Sequence, residues 1–476
     1  MSFTPYDHTT DPTAFLVLDD RSVFSTSGSQ VTGVSNVSAA GSAYPAVADT
    51  GTVTLSTAAG GYKALVFDGS STLKVPTSTG FDAQFTNTGN TGGCGLFVVF
   101  DAADGQQGFI LSKQSNAGNQ GGVQLALFSG TNGYVQRFGT AQCWRPYHGG
   151  LATGCVANEQ GTDRTNNPGE APGGNYANYR DGTTVYYNGT PSGKFTTWPN
   201  LAASAGNDFK IGAWYVVNFT GKVRAVVCWN RAPKPHEVLA VDRYYRARYA
   251  MPEVLTNQPF ALVAESNSES TNPQGYGEPG PFDRAATLLG ISTNADFMLG
   301  QAARSGNDIV HDYPTWTAPL VAYLRSLGLT TAVHLWELIN DTYGGFAAAS
   351  YVNYWNLVKA SGAKFSAGTV FARSTITPSF GGSSLNPICA ANNQVVADAA
   401  AYGYTASLLG FDPQLRAYNA AYFSDGVHWQ SPAVAIGAPY FAAAIKASLA
   451  TSNHTGAATR NRWFPGLARG QTGRRR

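Results

Sequence analysis

The sequence predicts a multi-domain chain: an all-β sandwich over residues 1–250, a linker at 251–259, an α/β three-layer region with a parallel sheet at 260–451, and a basic flexible tail at 452–476. Three observations carry this. Before residue 250, short alternating or apolar runs recur between clusters of Gly, Asn, Ser and Thr, the pattern of a sandwich or barrel. After residue 257, apolar strand-length runs alternate with helix-length segments, the pattern of a parallel sheet covered by helices. The length of 476 residues suits two or three domains at roughly 100–200 residues each.

In the first region the predicted strands are FLVLDD, VTLST, KALVFDG, TLKVP, GLFVVFD, GFILSK, VQLALFSG, TVYYNG, DFKIGAWYV and KVRAVVCWN. The Asp-Gly and Asn-Gly pairs within them suit tight turns that need positive φ. Residues 140–182 are polar and rich in Gly and Asn, which predicts a long surface loop. A helix over 233–249 places Val238, Val241, Tyr245 and Tyr249 at helical spacing. In the second region the predicted strands are 260–266, 296–300, 330–339, 364–371 and 405–411. The predicted helices are 281–290, 315–327, 347–361, 388–402 and 432–450. The linker carries two prolines, and no internal repeat or coiled-coil heptad is evident.

Composition narrows the function classes. Lys and Arg number 31 and Asp and Glu 29, a net charge of +2, and charged residues make up only 13% of the chain. A typical soluble domain carries about 25%. The surface is therefore expected to be neutral and polar, as in secreted, cell-wall or virion β-proteins. No domain-wide basic excess exists, so no nucleic-acid partner is expected. The six arginines of 452–476 leave a charge of −4 for the rest. No run of about 18 apolar residues was expected, hence no membrane insertion. MSFTPYDHTTDPTAF has neither a basic n-region nor an apolar h-region. With the surface composition, this leads to an expectation of a phage particle protein, located on the virion. The five cysteines show no CxxC pattern. Cys143 and Cys155 either bridge one loop or remain free thiols.

Three stretches of the first region, LVFDGSSTLKVP (65–76), TVYYNGT (184–190) and the long segment 219–249, resemble the laminin-G/concanavalin-like lectin jelly roll. The resemblance implies glycan binding or docking. Trp144 and Tyr147, with His148, are candidates for stacking on a sugar ring, or else they pin the predicted loop. Asp68 and Asp181 are either calcium ligands or turn residues.

In the second region Ser266 ends the first predicted strand, which puts it on the edge of a parallel sheet where ligands bind. SDGVHW places Asp425 and His428 three residues apart near the C-terminal helix. An Asp so placed orients an imidazole, and the imidazole takes a proton from the serine. VAESNSES (263–270), ARSGNDIV (303–310), LWELINDT (335–342) and SDGVHW together resemble, in order, the four blocks of the SGNH (GDSL-type) hydrolases, sialate-acetylesterase-like branch.

The resemblance implies a Ser266–His428–Asp425 triad and an oxyanion hole from Ser266, Gly306 and Asn340, with no metal or cofactor. Asn267 matches the Asn after the nucleophile. Ala264, Glu265 and Leu338 depart from the family pattern. Glu265 either holds the nucleophile turn or is solvated. Arg304 either contacts an anionic sugar or sits in a structural ion pair. Trp429 either walls the pocket or packs. His334 reads as a core histidine, His311 as a cleft or loop residue, and Asp341, beside Glu337, as a loop tether. The expected function is an O-acetyl esterase acting on a bacterial surface polysaccharide, within a phage tail fibre, tailspike or head fibre. Other virion proteins are expected partners, and such fibres are commonly homo-trimers. The alternatives are a non-catalytic glycan-binding virion protein and a small-ester esterase.

Overall fold

The computed structural model describes residues 6–39, 41, 43–57, 61–86, 93–114, 122–128, 133–138, 141–147, 149–159, 182–195, 205–214, 217–255, 257–266, 280–300, 313–336, 348–369, 371, 385–416, 418–423 and 429–451. Two separate sheets appear. Strands up to residue 229 form one antiparallel network, and residues 261–406 form a five-stranded parallel sheet.

The antiparallel network contains a central run in which Thr220–Trp229 pairs with Ala14–Leu18 on one side and Gly93–Ala102 on the other. Gly93–Ala102 then pairs with Gly150–Glu159, and that strand with Gly182–Tyr187. Side chains alternate across a strand. Leu96, Val98 and Phe100 point into a core shared with Leu73, Leu111, Leu125 and Ile211 of the facing strands. Phe97 and Val99 point the other way, into a second core. The central run is thus buried on both faces, which is why it reads as continuous apolar sequence rather than clean alternation. The hairpin after Tyr187 turns at Asn188 and Gly189, whose φ values of 49° and 76° are the left-handed pair such a turn requires.

The second core is closed by the helix Pro235–Arg248. Val238, Val241 and Tyr245, with Tyr249 just after the helix, face the antiparallel strands, as their spacing predicts. Leu239 and Ala240, on another side of the helix, belong to the core of the parallel region. The linker is packed as well: Met251 joins the β core and Leu255 the α/β core. This junction helix is a shared wall between the regions.

The expected loop at 140–182 is corrected for its first part. Ala141–Tyr147 and Gly150–Glu159 are strands, the latter inside the central run. Residues 160–181 lie outside the described residues. GLATGCVANE conceals a strand because its buried positions are filled by Ala, Cys, Thr and Val rather than large apolar groups. Cys155 is buried as a free thiol, so the 143–155 bridge is excluded.

The parallel sheet has the order Asp296–Gly300, Ala261–Ser266, Thr331–Trp336, Lys364–Ala367, Thr405–Ala406. Helices Pro281–Leu288 and Ser431–Ala450 cover one face, where Phe282 and Phe441 meet His334. Helix Ala348–Ser361 and the segment around Thr317 cover the other. The predicted strand 405–411 is shorter than expected and passes into a 3₁₀ turn at Leu409–Phe411. Helix Ser431–Ala450 is long and apolar enough to cross a membrane by length and composition, which corrects the expectation that no such run exists. In the fold it packs against the sheet, burying Val434, Phe441 and Ile445.

Candidate active site

Ser266 is the last residue of its strand, in register with Gly300 on one neighbour and Trp336 on the other. Residues in register on parallel strands share a face. Ala264, Ser266, His334, Trp336 and Ser366 therefore lie on the side covered by the last helix. Ser266 itself has no exposed surface.

Trp336 organises this end of the sheet. Its Nε1 donates to the Thr369 carbonyl at 3.1 Å, and its ring meets Trp429 at 5.0 Å between centroids. Trp429 and Phe423 form an isolated antiparallel bridge, and both rings pack on Phe371. Trp429 thereby packs directly on Trp336, the register partner of Ser266, and Phe423 reaches it through Phe371. Gly437 permits this: a Cβ there would come within 2.4 Å of the Trp429 ring.

Glu265 points to the opposite face and is fully buried. Its Oε2 accepts from Thr317 Oγ1 at 2.9 Å and from the Tyr354 hydroxyl. The carboxylate is desolvated, and burial beside it drives the Tyr354 hydroxyl well above its ordinary pKa. Of the two readings for Glu265, solvation is therefore corrected. The residue braces the strand that ends in Ser266. Ala264 is buried without a left-handed φ, so its methyl group is accommodated.

His334 is a core residue. Its Nδ1 lies 2.7 Å from Ser366 Oγ, and burial pushes its pKa down to about 3. Trp429 is fully buried, which corrects the pocket-wall alternative: its surface is spent on packing. Tyr147 is also fully buried, with its hydroxyl within 2.8 Å of the Ala102 amide and 2.7 Å of the Ala102 carbonyl. Its ring packs on Phe100, so it does not offer a face to a sugar. Trp144 lies on the strand Ala141–Tyr147 rather than in a loop. Asp68 Oδ1 accepts from the Ser70 amide at 2.9 Å and the Ser71 amide at 2.8 Å, the turn role. The hydrogen bond from the Ser70 amide leads in holding its pKa at about 2.

Asn267, Arg304, Gly306, Asn340, Asp425 and His428 lie outside the described residues, as do His148, Asp181, His311, Glu337, Leu338 and Asp341. Among the described residues no group of three or more His, Cys, Asp or Glu is placed to hold a metal ion. Thr317, Tyr354, Trp336 and Gly437 were not singled out in the sequence. The signal available was the polar pair Glu265-Ser266 closing an apolar strand, which demands buried partners from elsewhere.

No family model and no curated protein matches the chain. Among solved structures, a GDSL-like lipase from Bacteroides thetaiotaomicron is 16% identical over 43% of this chain and 97% of its own, with a TM-score of 0.32. The fourth domain of an extracellular GH43 arabinanase from Geobacillus stearothermophilus is 18% identical over 42% of this chain and 88% of its own, at 0.24. Trypanosoma rangeli sialidase is 14% identical over 49% of this chain and 33% of its own, at 0.31. At these scores the likenesses carry no functional weight.

Proposed function

We propose that the chain is a serine esterase that removes O-acetyl groups from a bacterial surface polysaccharide. What supports this most is the packing of Trp429, which is bridged to Phe423, on Trp336, the register partner of Ser266. Asp425 and His428 lie between Phe423 and Trp429 in the sequence, and Ser266 ends a strand at the edge where a parallel sheet presents its ligand site.

In this reading Ser266 Oγ attacks the ester carbonyl while His428 takes its proton and Asp425 stabilises the imidazolium. The Ser266 and Gly306 amides and the Asn340 side chain hold the oxyanion, each such donor contributing about 10²–10³ in rate. His428 then protonates the leaving sugar hydroxyl, and water releases acetate from the acyl-Ser266. Glu265 positions the strand from behind. The antiparallel region, as a lectin-like jelly roll, presents the polysaccharide. The sparse charge supports a particle-surface setting, and we extend the proposal to a phage fibre or spike with trimeric assembly.

The test is acetate release from an O-acetylated bacterial polysaccharide, alongside p-nitrophenyl acetate hydrolysis. Wild type turns over, and Ser266→Ala and His428→Ala each fall by at least about 10³. Wild type at the buffer rate on both substrates overturns the proposal. The complete burial of Ser266 favours a second reading, glycan binding without turnover. Under it, wild type and Ser266→Ala bind the polysaccharide equally and neither releases acetate.

A further inference from the structure

Exposed apolar side chains gather on one segment past the end of the parallel sheet. Among the described residues six large apolar side chains are exposed, and Leu408, Phe411 and Tyr418 are three of them, at 51%, 41% and 38%. A single exposed apolar residue needs no explanation, but a group of them beside a site marks a binding surface. The segment follows the strand Thr405–Ala406 of the parallel sheet, so it leaves by the same edge as Ser266.

Hydrogen bonds and rings fix this segment in place. Thr369 Oγ1 donates to the Ser407 carbonyl at 2.6 Å and accepts from the Gly410 amide at 2.8 Å, while the Thr369 carbonyl is held by Trp336 Nε1. The Tyr440 hydroxyl, on the last helix, donates to Asp412 Oδ2 at 2.7 Å, and the Tyr422 hydroxyl donates to Gln414 Oε1 at 3.0 Å. Tyr418 stacks on Phe423, with ring centroids 5.2 Å apart and planes inclined by 30°. Phe423 is bridged to Trp429, whose ring packs on Trp336, the register partner of Ser266. His428 is joined to Trp429 by one peptide bond. Tyr418 is thus an exposed ring, seated on the aromatic cluster that flanks the proposed catalytic residues.

Such a ring bears on the two halves of an ester unequally. In acyl transfer Ser266 Oγ bonds to the acyl carbon as the bond to the alcohol oxygen breaks, and His428 returns the serine's proton to that oxygen. The alcohol half therefore departs on the histidine's side. We infer that Tyr418 is a specificity-determining residue of the esterase site, stacking on a leaving alcohol that carries a ring with an apolar face rather than on the acyl chain. The inference rests on the esterase reading. Sugar and aryl alcohols share this ring chemistry.

The test measures kcat/KM of the full chain on phenyl, cyclohexyl and ethyl acetate, which differ only in the alcohol, and on phenyl butyrate. Tyr418→Ala lowers both ring-to-ethyl ratios about tenfold, and Tyr418→Phe keeps them. Hydrolysis of acetyl-Ser266, from which the alcohol has already gone, changes by less than about twofold in Tyr418→Ala, a split that general loss of fold does not produce. Tyr418→Leu leaves an apolar group on Phe423 without a ring, and carries the test should alanine prevent folding. Ratios unchanged in Tyr418→Ala and Tyr418→Leu, or a shift in the butyrate-to-acetate preference instead, overturn the inference while wild type still turns over. Wild type inert on every ester overturns the esterase reading, and this inference with it, so the two failures are distinguishable.

Discussion

The two regions bury polar groups by different means. The ion pairs between described side chains lie within residues 11–253: Lys113 with Asp82, Arg231 with Asp11 and Glu237, Arg246 with Asp242. They tie together segments far apart in sequence, such as the Arg231 guanidinium to Asp11 across 220 residues. In the parallel region two buried groups are held by hydroxyls, Glu265 at Thr317 and Tyr354, and His334 at Ser366. Aromatic packing of Trp336, Phe371, Trp429 and Phe441 fills the rest. A chain with few charges has placed several of them where they staple the antiparallel region together. A buried ion pair fixes position at a desolvation cost.

This contrast can be broken first at Asp242. Asp242→Ala leaves the Arg246 guanidinium buried without its counter-charge and removes the 2.5 Å bond from Thr153. The expected loss is about 3–5 kcal/mol, read by urea unfolding. A loss under 1 kcal/mol would show that the staple is not structural. In the parallel region Gly437→Ala drives a methyl group into Trp429. It should cost about 1–3 kcal/mol and lower the proposed esterase activity more than Asp242→Ala does at matched folded fraction. Unchanged melting and turnover would remove Trp429 from its anchoring role.

Among the described residues each region also holds one buried histidine, His8 lowered by burial to about 4 and His334 to about 3. Their folded values lie below the unfolded 6.5, so the unfolded state binds more protons between. Stability is full above pH 6.5 and falls as pH drops toward these values, by about 1.4 kcal/mol per unit for each group. His334→Gln should flatten the slope of unfolding free energy between pH 6 and 4.5 by that amount, and a slope identical to wild type counts against it. The smallest effect is expected at the rim. Lys74 pairs with Asp208 at 2.9 Å but stays 30% exposed, so Lys74→Ala should shift stability by about 0–1 kcal/mol. A larger shift in thermal melting would show surface pairs rivalling the buried staples.

Much of this fold was legible. The apolar run LVFD with its Asp-Gly turn, the Asn-Gly hairpin at 188–189, the helix through Val238 and Tyr245, and Ser266 at a strand end all follow from local pattern. The strand 150–159 did not, because small residues fill its buried positions. The roles of Tyr147, Glu265 and Trp429 were also illegible, because an aromatic or acidic residue reads alike whether it faces a ligand or a neighbour.

By itself the sequence determined the change of period near residue 250, the two fold classes and the strand whose end carries Ser266, since these depend on side-chain periodicity along a local stretch. Only the tertiary structure decided which polar residues became buried. It set Glu265 against Tyr354, Trp429 against Gly437 and Arg246 between Asp242 and Pro252, because burial is decided by what other segments bring to a residue, and that is absent from the residue's own neighbourhood in the chain.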